Sequence, residues 1–315
     1  MNIFNNELAV LGGGLFTLLV LASVIAQLLS LRVRNPQGQK MMKMLKARIR
    51  AWWVMCFIFG IAVFTKGVGT CILFFFISYL ALREYVTCAP TRRADHRPLF
   101  WMFFVFLPIQ YYLLLIQWYG FFSIFIPVYC FVFLAARSVL SGEAEGFLTS
   151  NAILYWGLMI CVYCISHVPA LMFLDIPMMH GKVWKCLFYL VFITQMNDVL
   201  QYIAGNLFGK RKIAPKISPN KTIEGFYGGL FGSMLLGAVM SWLTPFGVWV
   251  SMLVAAVISC LGLLGDLTLS AVKRDRHIKD FGSMIEGHGG ILDRIDSLAL
   301  SAPIFFHFLR YFYSV

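Results

Sequence analysis

An all-α, polytopic bundle of membrane helices, about ten crossings in all, is the fold class this sequence predicts, and three observations predict it. Mean hydropathy is +0.79 and only 13% of residues are charged, which excludes an ordinary soluble domain. Apolar runs recur along the whole chain, most near the ~20 residues that a helix needs to cross a bilayer. The Lys and Arg residues are sorted between alternate loops, 22 on one side and 4 (Lys66, Lys182, Lys185, Arg310) on the other. That sorting is the positive-inside bias, and it places the richest polar loops on the cytoplasmic face.

In chain order the apolar runs are Leu8 to Leu31, Trp52 to Thr65, Val68 to Leu82, Pro98 to Ile116, Tyr119 to Leu140, Ala152 to Leu174, Val183 to Phe208, Phe226 to Thr244, Phe246 to Leu269 and Ile291 to Tyr313. The first follows MNIFNNE, which has no basic residue and carries Glu7, unlike the positive n-region of a cleaved signal peptide. The second and third are short and joined at Lys66-Gly67, so they read as a tilted pair or a re-entrant hairpin. The eighth carries Gly225, Gly229, Ser233, Gly237 and Ser241 at every fourth position, a small-residue stripe that lets another helix approach closely. No repeat or soluble domain interrupts the pattern. The chain reads as one integral membrane domain, 1–315, with its chemistry at 195–297.

Between the spans lie polar stretches of different character. Arg32 to Arg50 is basic and Met-rich; it reads as a positive-inside anchor, and its second half is compatible with an amphipathic helix on anionic lipid. The net charge of +12 follows from such loops, so membrane lipids rather than nucleic acid are the expected partners. Seven of the eight cysteines sit in apolar runs as small hydrophobes. The C-x-x-C at Cys161 and Cys164 lacks the further ligands that a zinc site needs.

Chemistry concentrates in two loops. Lys210 to Gly225 reads KRKIAPKISPNKTIEG and follows Asn197, Asp198 and Gln201 in an otherwise apolar run. A carboxylate such as Asp198, ~18 Å along a helix from Lys210, is costly at that depth and is a functional candidate by default; Asp266 is its counterpart in the ninth run. Ser270 to Asp296 then carries Lys273, Arg274, Arg276, Lys279 and Asp280, the His288-Gly289-Gly290 turn, and Arg294 between Asp293 and Asp296. Those two aspartates stand three apart and so share one helix face. Cations with carboxylates suit a metal-bound polyphosphate, because Mg²⁺ takes one or two carboxylates plus phosphate oxygens. Glycines beside His288 permit close backbone approach to a ligand.

These residues resemble the signature of the phosphatidate cytidylyltransferases, S-x-x-K-R, K-D-x-G and H-G-G-x-x-D-R-x-D, met here as Ser270, Lys273-Arg274, Lys279-Asp280, Gly282, His288-Gly289-Gly290, Asp293-Arg294 and Asp296. Asp198, Lys210, Ser218-Pro219, Lys221-Thr222, Glu224-Gly225 and Gly265-Asp266 match the family's other blocks; upstream only Glu84-Tyr85 matches. Glu286 stands where the family usually has Pro or Gly, and Leu269 where an acidic residue often precedes the serine.

The resemblance implies transfer of CMP from CTP to phosphatidate, giving CDP-diacylglycerol and pyrophosphate, with Mg²⁺ and room for a second cation. It implies a catalytic set of Lys273, Arg274, Lys279, Asp280, His288, Asp293, Arg294 and Asp296. Substrate would be held by Asp198, Lys210, Ser218, Lys221, Thr222, Glu224, Gly289 and Gly290, and metal by Asp266 and Asp280. An integral protein of a bacterial inner membrane is expected, and a homodimer is compatible with the chain. Two rival readings are a relative that uses another lipid phosphate, or serves as an inactive membrane partner, and an ion-coupled transporter built on Asp198 and Asp266.

Overall fold

The computed structural model describes residues 2–32, 35–140, 142, 144–284 and 289–314. Ten long helical rods run through the described residues: α1 (Asn2–Arg32), α2 (Pro36–Phe64), α3 (Lys66–Cys88), α4 (His96–Leu115), α5 (Tyr119–Val139), α6 (Phe147–Phe173), α7 (Trp184–Phe208), α8 (Ile223–Val239), α9 (Val248–Asp275) and α10 (Leu292–Tyr313). Seven of them, α1 to α6 and α9, are long and apolar enough to cross a membrane. α8 is apolar but has only 17 residues, while α7 and α10 carry the polar side chains that the site uses. Helices are the expected solution, since a chain in hydrocarbon must satisfy its backbone hydrogen bonds internally.

Three boundaries differ from the sequence reading. The second and third runs are ends of full helices, α2 and α3, meeting at Thr65 rather than forming a short re-entrant pair. α2 also absorbs the basic stretch after Pro36 instead of leaving a separate surface helix. Lys, Met, Leu, Ala and Arg are all good helix formers, so nothing breaks the rod between Met41 and Trp52. At 29 residues it is ~43 Å long and outruns a ~30 Å hydrocarbon core. The eighth run stops at Val239, so Ser241, the last member of the stripe, lies in a separate 3₁₀ turn.

The remaining difference is a β-hairpin between α7 and α8. β1 (Lys212–Ala214) and β2 (Ser218–Thr222) pair antiparallel, Lys212 opposite Thr222 and Ala214 opposite Ser218, with an irregularity between. Pro215 and Pro219 in this stretch mask the strand signal in sequence.

Two of the four cations assigned to the sparser side lie over aromatic rings: Arg310 stacks 3.7 Å over the Tyr119 ring and Lys185 lies 5.3 Å over Trp242. At that end Gln117, Asp175 and Arg310 line a cavity of about 230 Å³. At the other end the C-termini of α3 and α9 meet the start of α6 around a cavity of about 250 Å³.

α7 to α10 form the tightest group because glycines remove side chains where the rods cross. A Cβ on Gly229 would fall 2.3 Å from Gln201 Cγ, and one on Gly265 would fall 2.4 Å from the Asp296 carbonyl oxygen. The small-residue stripe is therefore the seam of α8 against α7 and α9. A Cβ on Gly237 would meet Ala255 Cβ at 2.7 Å and the Ser251 carbonyl at 2.9 Å. Gly237→Ala should therefore destabilise by ~1–3 kcal/mol, as overpacking does, lowering the unfolding midpoint in detergent. Gly60→Ala, inside α2 with nothing within 4 Å, should not lower the midpoint, since Ala is the better helix former.

Candidate functional site

α9 presents Asp266, Ser270 and Lys273 at i, i+4 and i+7, one face of the helix. Near its end, Lys273 Nζ donates to Asp293 Oδ1 at 2.8 Å, and both side chains are nearly buried, 11% and 3% exposed. Asp293 Oδ2 accepts from the backbone N–H groups of Phe281 (2.9 Å) and Gly290 (3.0 Å). One carboxylate thus ties α9, the loop after it and the start of α10 into a knot. Gly289 has φ +88°, and a Cβ there would lie 3.0 Å from Asp293 Oδ2, so conformation and space both call for glycine. Asp280 packs beside Gly289 and is exposed.

A second carboxylate completes the knot from the other half of the chain. Glu84, buried near the end of α3, accepts from Ile291 N–H (Oε1, 3.0 Å) and Leu292 N–H (Oε2, 2.9 Å). It caps the N-terminus of α10, where orphan amides and the helix dipole favour an anion. Cβ atoms on Gly282 and Gly290 would come within 2.7 and 2.4 Å of its oxygens, so the carboxylate sits in a cradle that only glycines leave open. The sequence reading left Glu84 out of the site. Its signals were an acid near the end of an apolar run and the Glu84-Tyr85 match to the family pattern, but nothing local names a partner 207 residues away.

The third group lies one to two turns deeper. Asp266 Oδ2 pairs with Lys221 Nζ at 2.6 Å, and Asp266 Oδ1 accepts from Ser270 Oγ at 3.1 Å. Asp198 Oδ2 accepts from Ser297 Oγ at 2.9 Å, and Asp296 Oδ1 from the Ser297 N–H at 2.8 Å. Asp198, Asp266 and Asp296 are close enough to act on one another's charge, with Lys221 and Arg294 also acting on Asp198. Below them Asn197 Oδ1 accepts from Ser233 and Ser259. Four buried polar atoms here lack a partner: Asp198 Oδ1, Asn197 Nδ2, Gln201 Nε2 and Arg294 Nε. Such atoms are expensive to bury unsatisfied. A hard cation takes carboxylate oxygens, and the unpaired Asp198 Oδ1 beside Asp266 and Asp296 is a donor of that kind, so the residues fit Mg²⁺ chemistry. Among the described residues no three His, Cys, Asp or Glu side chains converge as ready-made metal ligands; the ammonium of Lys221 is the cation at Asp266.

The hairpin that carries Lys221 is fixed at both ends. Glu224 Oε2 accepts from the N–H groups of Lys210 (3.0 Å) and Arg211 (3.1 Å), and Oε1 from Arg211 Nε. Thr222 Oγ1 accepts from Gly225 N–H as the N-cap of α8. At the tip, Arg274 Nε donates to the Ile217 carbonyl and Nη1 to that of Ile278, both at 3.1 Å.

The structure thus gathers Asp198, Lys221, Asp266, Arg294 and Asp296 in one cluster, and beside it Asp280, Gly289 and Gly290 of the loop with Lys273 at the end of α9 and Asp293 at the start of α10. Arg274, Thr222 and Glu224 hold the frame. Lys210 and Lys279 are exposed and Ser218 half-buried. His288 and Glu286 lie outside the described residues. Leu269 is buried, 1% exposed.

The chain matches the model of the Cytidylyltransferase family over residues 46–312. It is 37% identical over 298 residues to the Escherichia coli protein named uncharacterized protein YnbB, covering 94% of this chain and 96% of that one. It is 45% identical over 118 residues to a phosphatidate cytidylyltransferase of Staphylococcus haemolyticus, 37% of this chain and 45% of the relative. With that of Staphylococcus epidermidis the identity is 46% over 114 residues, 36% and 44%. The chain therefore spans under half the length of these two relatives.

Removing the cap should loosen the loop. Glu84→Ala should cost ~1–2 kcal/mol, the upper range for a lost helix cap, with Glu84→Gln in between because its NH₂ faces an amide donor; unfolding midpoints in detergent check this. Glu224 supplies a pH prediction: the Lys210 and Arg211 N–H groups lower its pKa from 4.5 to about 2. A lowered folded-state value means that the clamp's stabilisation is complete above 4.5 and is lost as pH falls through about 2. Hydrogen-exchange protection of those two amides should follow that course, and Glu224→Gln should weaken it above about pH 2, where the parent carboxylate is charged.

Proposed function

The chain belongs to the cytidylyltransferase family, and from that premise we propose that it transfers CMP from CTP to phosphatidate, giving CDP-diacylglycerol and pyrophosphate, at the cytoplasmic face of a bacterial inner membrane. The observation that carries this reading is the cluster of Asp198, Asp266, Asp296, Lys221 and Arg294 under two basic loops at one end of a helix bundle. Negative side chains with unspent oxygens would face a metal, and positive ones would face phosphate.

A phosphatidate phosphate oxygen attacks the α-phosphorus of CTP; the bond between that phosphorus and the αβ-bridging oxygen breaks, and pyrophosphate leaves with the electron pair. The nucleophile is already anionic, so no strong general base is needed, and catalysis is positioning and charge neutralisation. When bound, Mg²⁺ supplies charge neutralisation at the phosphates. Asp266 would hold it together with Asp296 and Asp198, their oxygens being the ones that share a charge environment. Lys273, Arg274 and Asp293 have committed partners, so their part is to position the loop. Arg294, with a buried unpaired Nε, and the exposed Lys279 and Lys210 have donors to give to phosphates. Gly289 permits close backbone approach of an anion, while the Gly290 amide is already given to Asp293. A bundle of this kind would let acyl chains stay in the bilayer while the headgroup meets CTP at its end.

A second acceptor class, another lipid phosphate such as a polyprenyl phosphate, is favoured by one observation. The Escherichia coli protein is similar over nearly the whole chain, whereas the two staphylococcal phosphatidate cytidylyltransferases match over little more than a third. Purified protein in detergent, given CTP, Mg²⁺ and a panel of lipid phosphates, decides. Product should form with phosphatidate, and Asp266→Asn should lower the rate by ~10² or more, the scale for losing one electrostatic contact to a transition state, with the unfolding midpoint retained. No CDP-lipid from any acceptor contradicts the proposal.

A further inference from the structure

Lys221 is the one side chain that the hairpin inserts among the carboxylates, and its place raises a question of competition. Asp266 has two oxygens. Ser270 takes one, and the Lys221 ammonium takes the other at 2.6 Å, a short charge-assisted contact. A divalent cation at that carboxylate would stand within a few ångströms of the ammonium, and in this half-buried setting like charges at such a distance repel strongly. The ammonium and the metal therefore exclude each other at Asp266.

We propose that Lys221 is a tethered counter-ion that competes with the divalent cation for Asp266, and that nucleotide binding relieves the competition by giving its ammonium a phosphate oxygen instead. This rests on the cytidylyl-transfer reading above and adds an order of events to it.

Three features support a movement of this one side chain. The hairpin cannot swing as a body, because Glu224 and Thr222 hold its base and Arg274 holds its tip at Ile217. Lysine has a flexible four-carbon stem and a compact charge, unlike the planar fork of arginine, so the ammonium can change partners while its backbone stays in β2. Two neighbouring cations are already committed, so neither can substitute at Asp266 without loss: Lys273 is engaged by Asp293, and Arg274 by two backbone carbonyls. Among the described residues Lys221 is the one ion-pair partner of the Asp198, Asp266 and Asp296 group.

The consequence is coupling. Metal alone must displace Lys221 from Asp266 while drawing on the same carboxylates, Asp198 and Asp296, that could otherwise receive the ammonium, whereas metal arriving with a triphosphate brings a further anion along. Metal and CTP should each tighten the binding of the other by the same factor, since coupling is reciprocal. The arrangement also keeps the acidic group neutralised while no substrate is bound.

The test is equilibrium binding of Mn²⁺ to the full chain in detergent, read by the loss of the free-ion paramagnetic signal and so independent of turnover. Without CTP, Lys221→Met should bind Mn²⁺ more tightly than the parent by about tenfold, the scale of a typical coupling, and the gain in affinity on adding CTP should shrink. Lys221→Arg should retain weak binding of the metal alone. On the unsubstituted protein, acetylation of Lys221 by an amine-reactive reagent, read by mass spectrometry, should rise when Mn²⁺ is added and fall when CTP follows. If Lys221→Met binds Mn²⁺ no more tightly than the parent, or Mn²⁺ leaves Lys221 acetylation unchanged, the competition is refuted. If Mn²⁺ binds none of these proteins even with CTP present, the metal-dependent transfer reading itself falls, and the inference with it.

Discussion

The arrangement depends on how one polar loop is held at the end of a membrane bundle. Between α9 and α10 the chain must reverse while presenting charge to solvent, and its backbone amides need partners. Two buried carboxylates supply them. Asp293 takes the amides of Phe281 and Gly290, and Glu84 takes those of Ile291 and Leu292. The glycines at 282, 289 and 290 follow from this, because a side chain at any of them would run into one of the carboxylates. Glu84 comes from the N-terminal half, so that half fixes the geometry of the loop as well as anchoring the chain.

From this constraint comes a division of labour among residues of similar type. Lys273 and Asp293 neutralise each other in a nearly buried pair; breaking such a pair by removing one partner costs ~3–5 kcal/mol, which suits a fixed frame. Asp198, Asp266, Asp296 and Arg294 keep unpaired atoms or an exchangeable partner, which suits ligand chemistry. The close packing at Gly265 sets the second group beside the first by bringing the α9 backbone against Asp296. A rigid loop and an unspent charge cluster are thus built from the same two helices.

Much of this was legible in the sequence where the signal is local. Hydropathy and charge sorting located the rods, and the spacing of Gly225, Gly229, Ser233 and Gly237 revealed the seam of α8. What depends on distant contacts was not legible. Asp293 and Asp296 share a helix face by spacing, yet one turns to the loop and the other to Asp266, because Asp293 stands in the first turn of α10 and the loop amides claim it. Asp280 was grouped with Asp266 on the strength of the motif, while the residues sharing the charge environment of Asp266 are Asp198, on another helix, and Asp296. The partner of Glu84 lies 207 residues on, and the hairpin is hidden by its prolines. In α2 a change from basic to apolar composition suggested a break that the helix propensities do not require.

The account's central claim is that the cluster serves attack at the α-phosphorus of CTP by a lipid phosphate. The most direct measurement follows the two ends of the nucleotide separately, with CTP labelled at the α- or the γ-phosphorus and the lipid phase extracted after reaction. The account predicts α-label in the lipid and γ-label in aqueous pyrophosphate. Label from the γ-phosphorus in the lipid, or from neither, would contradict it.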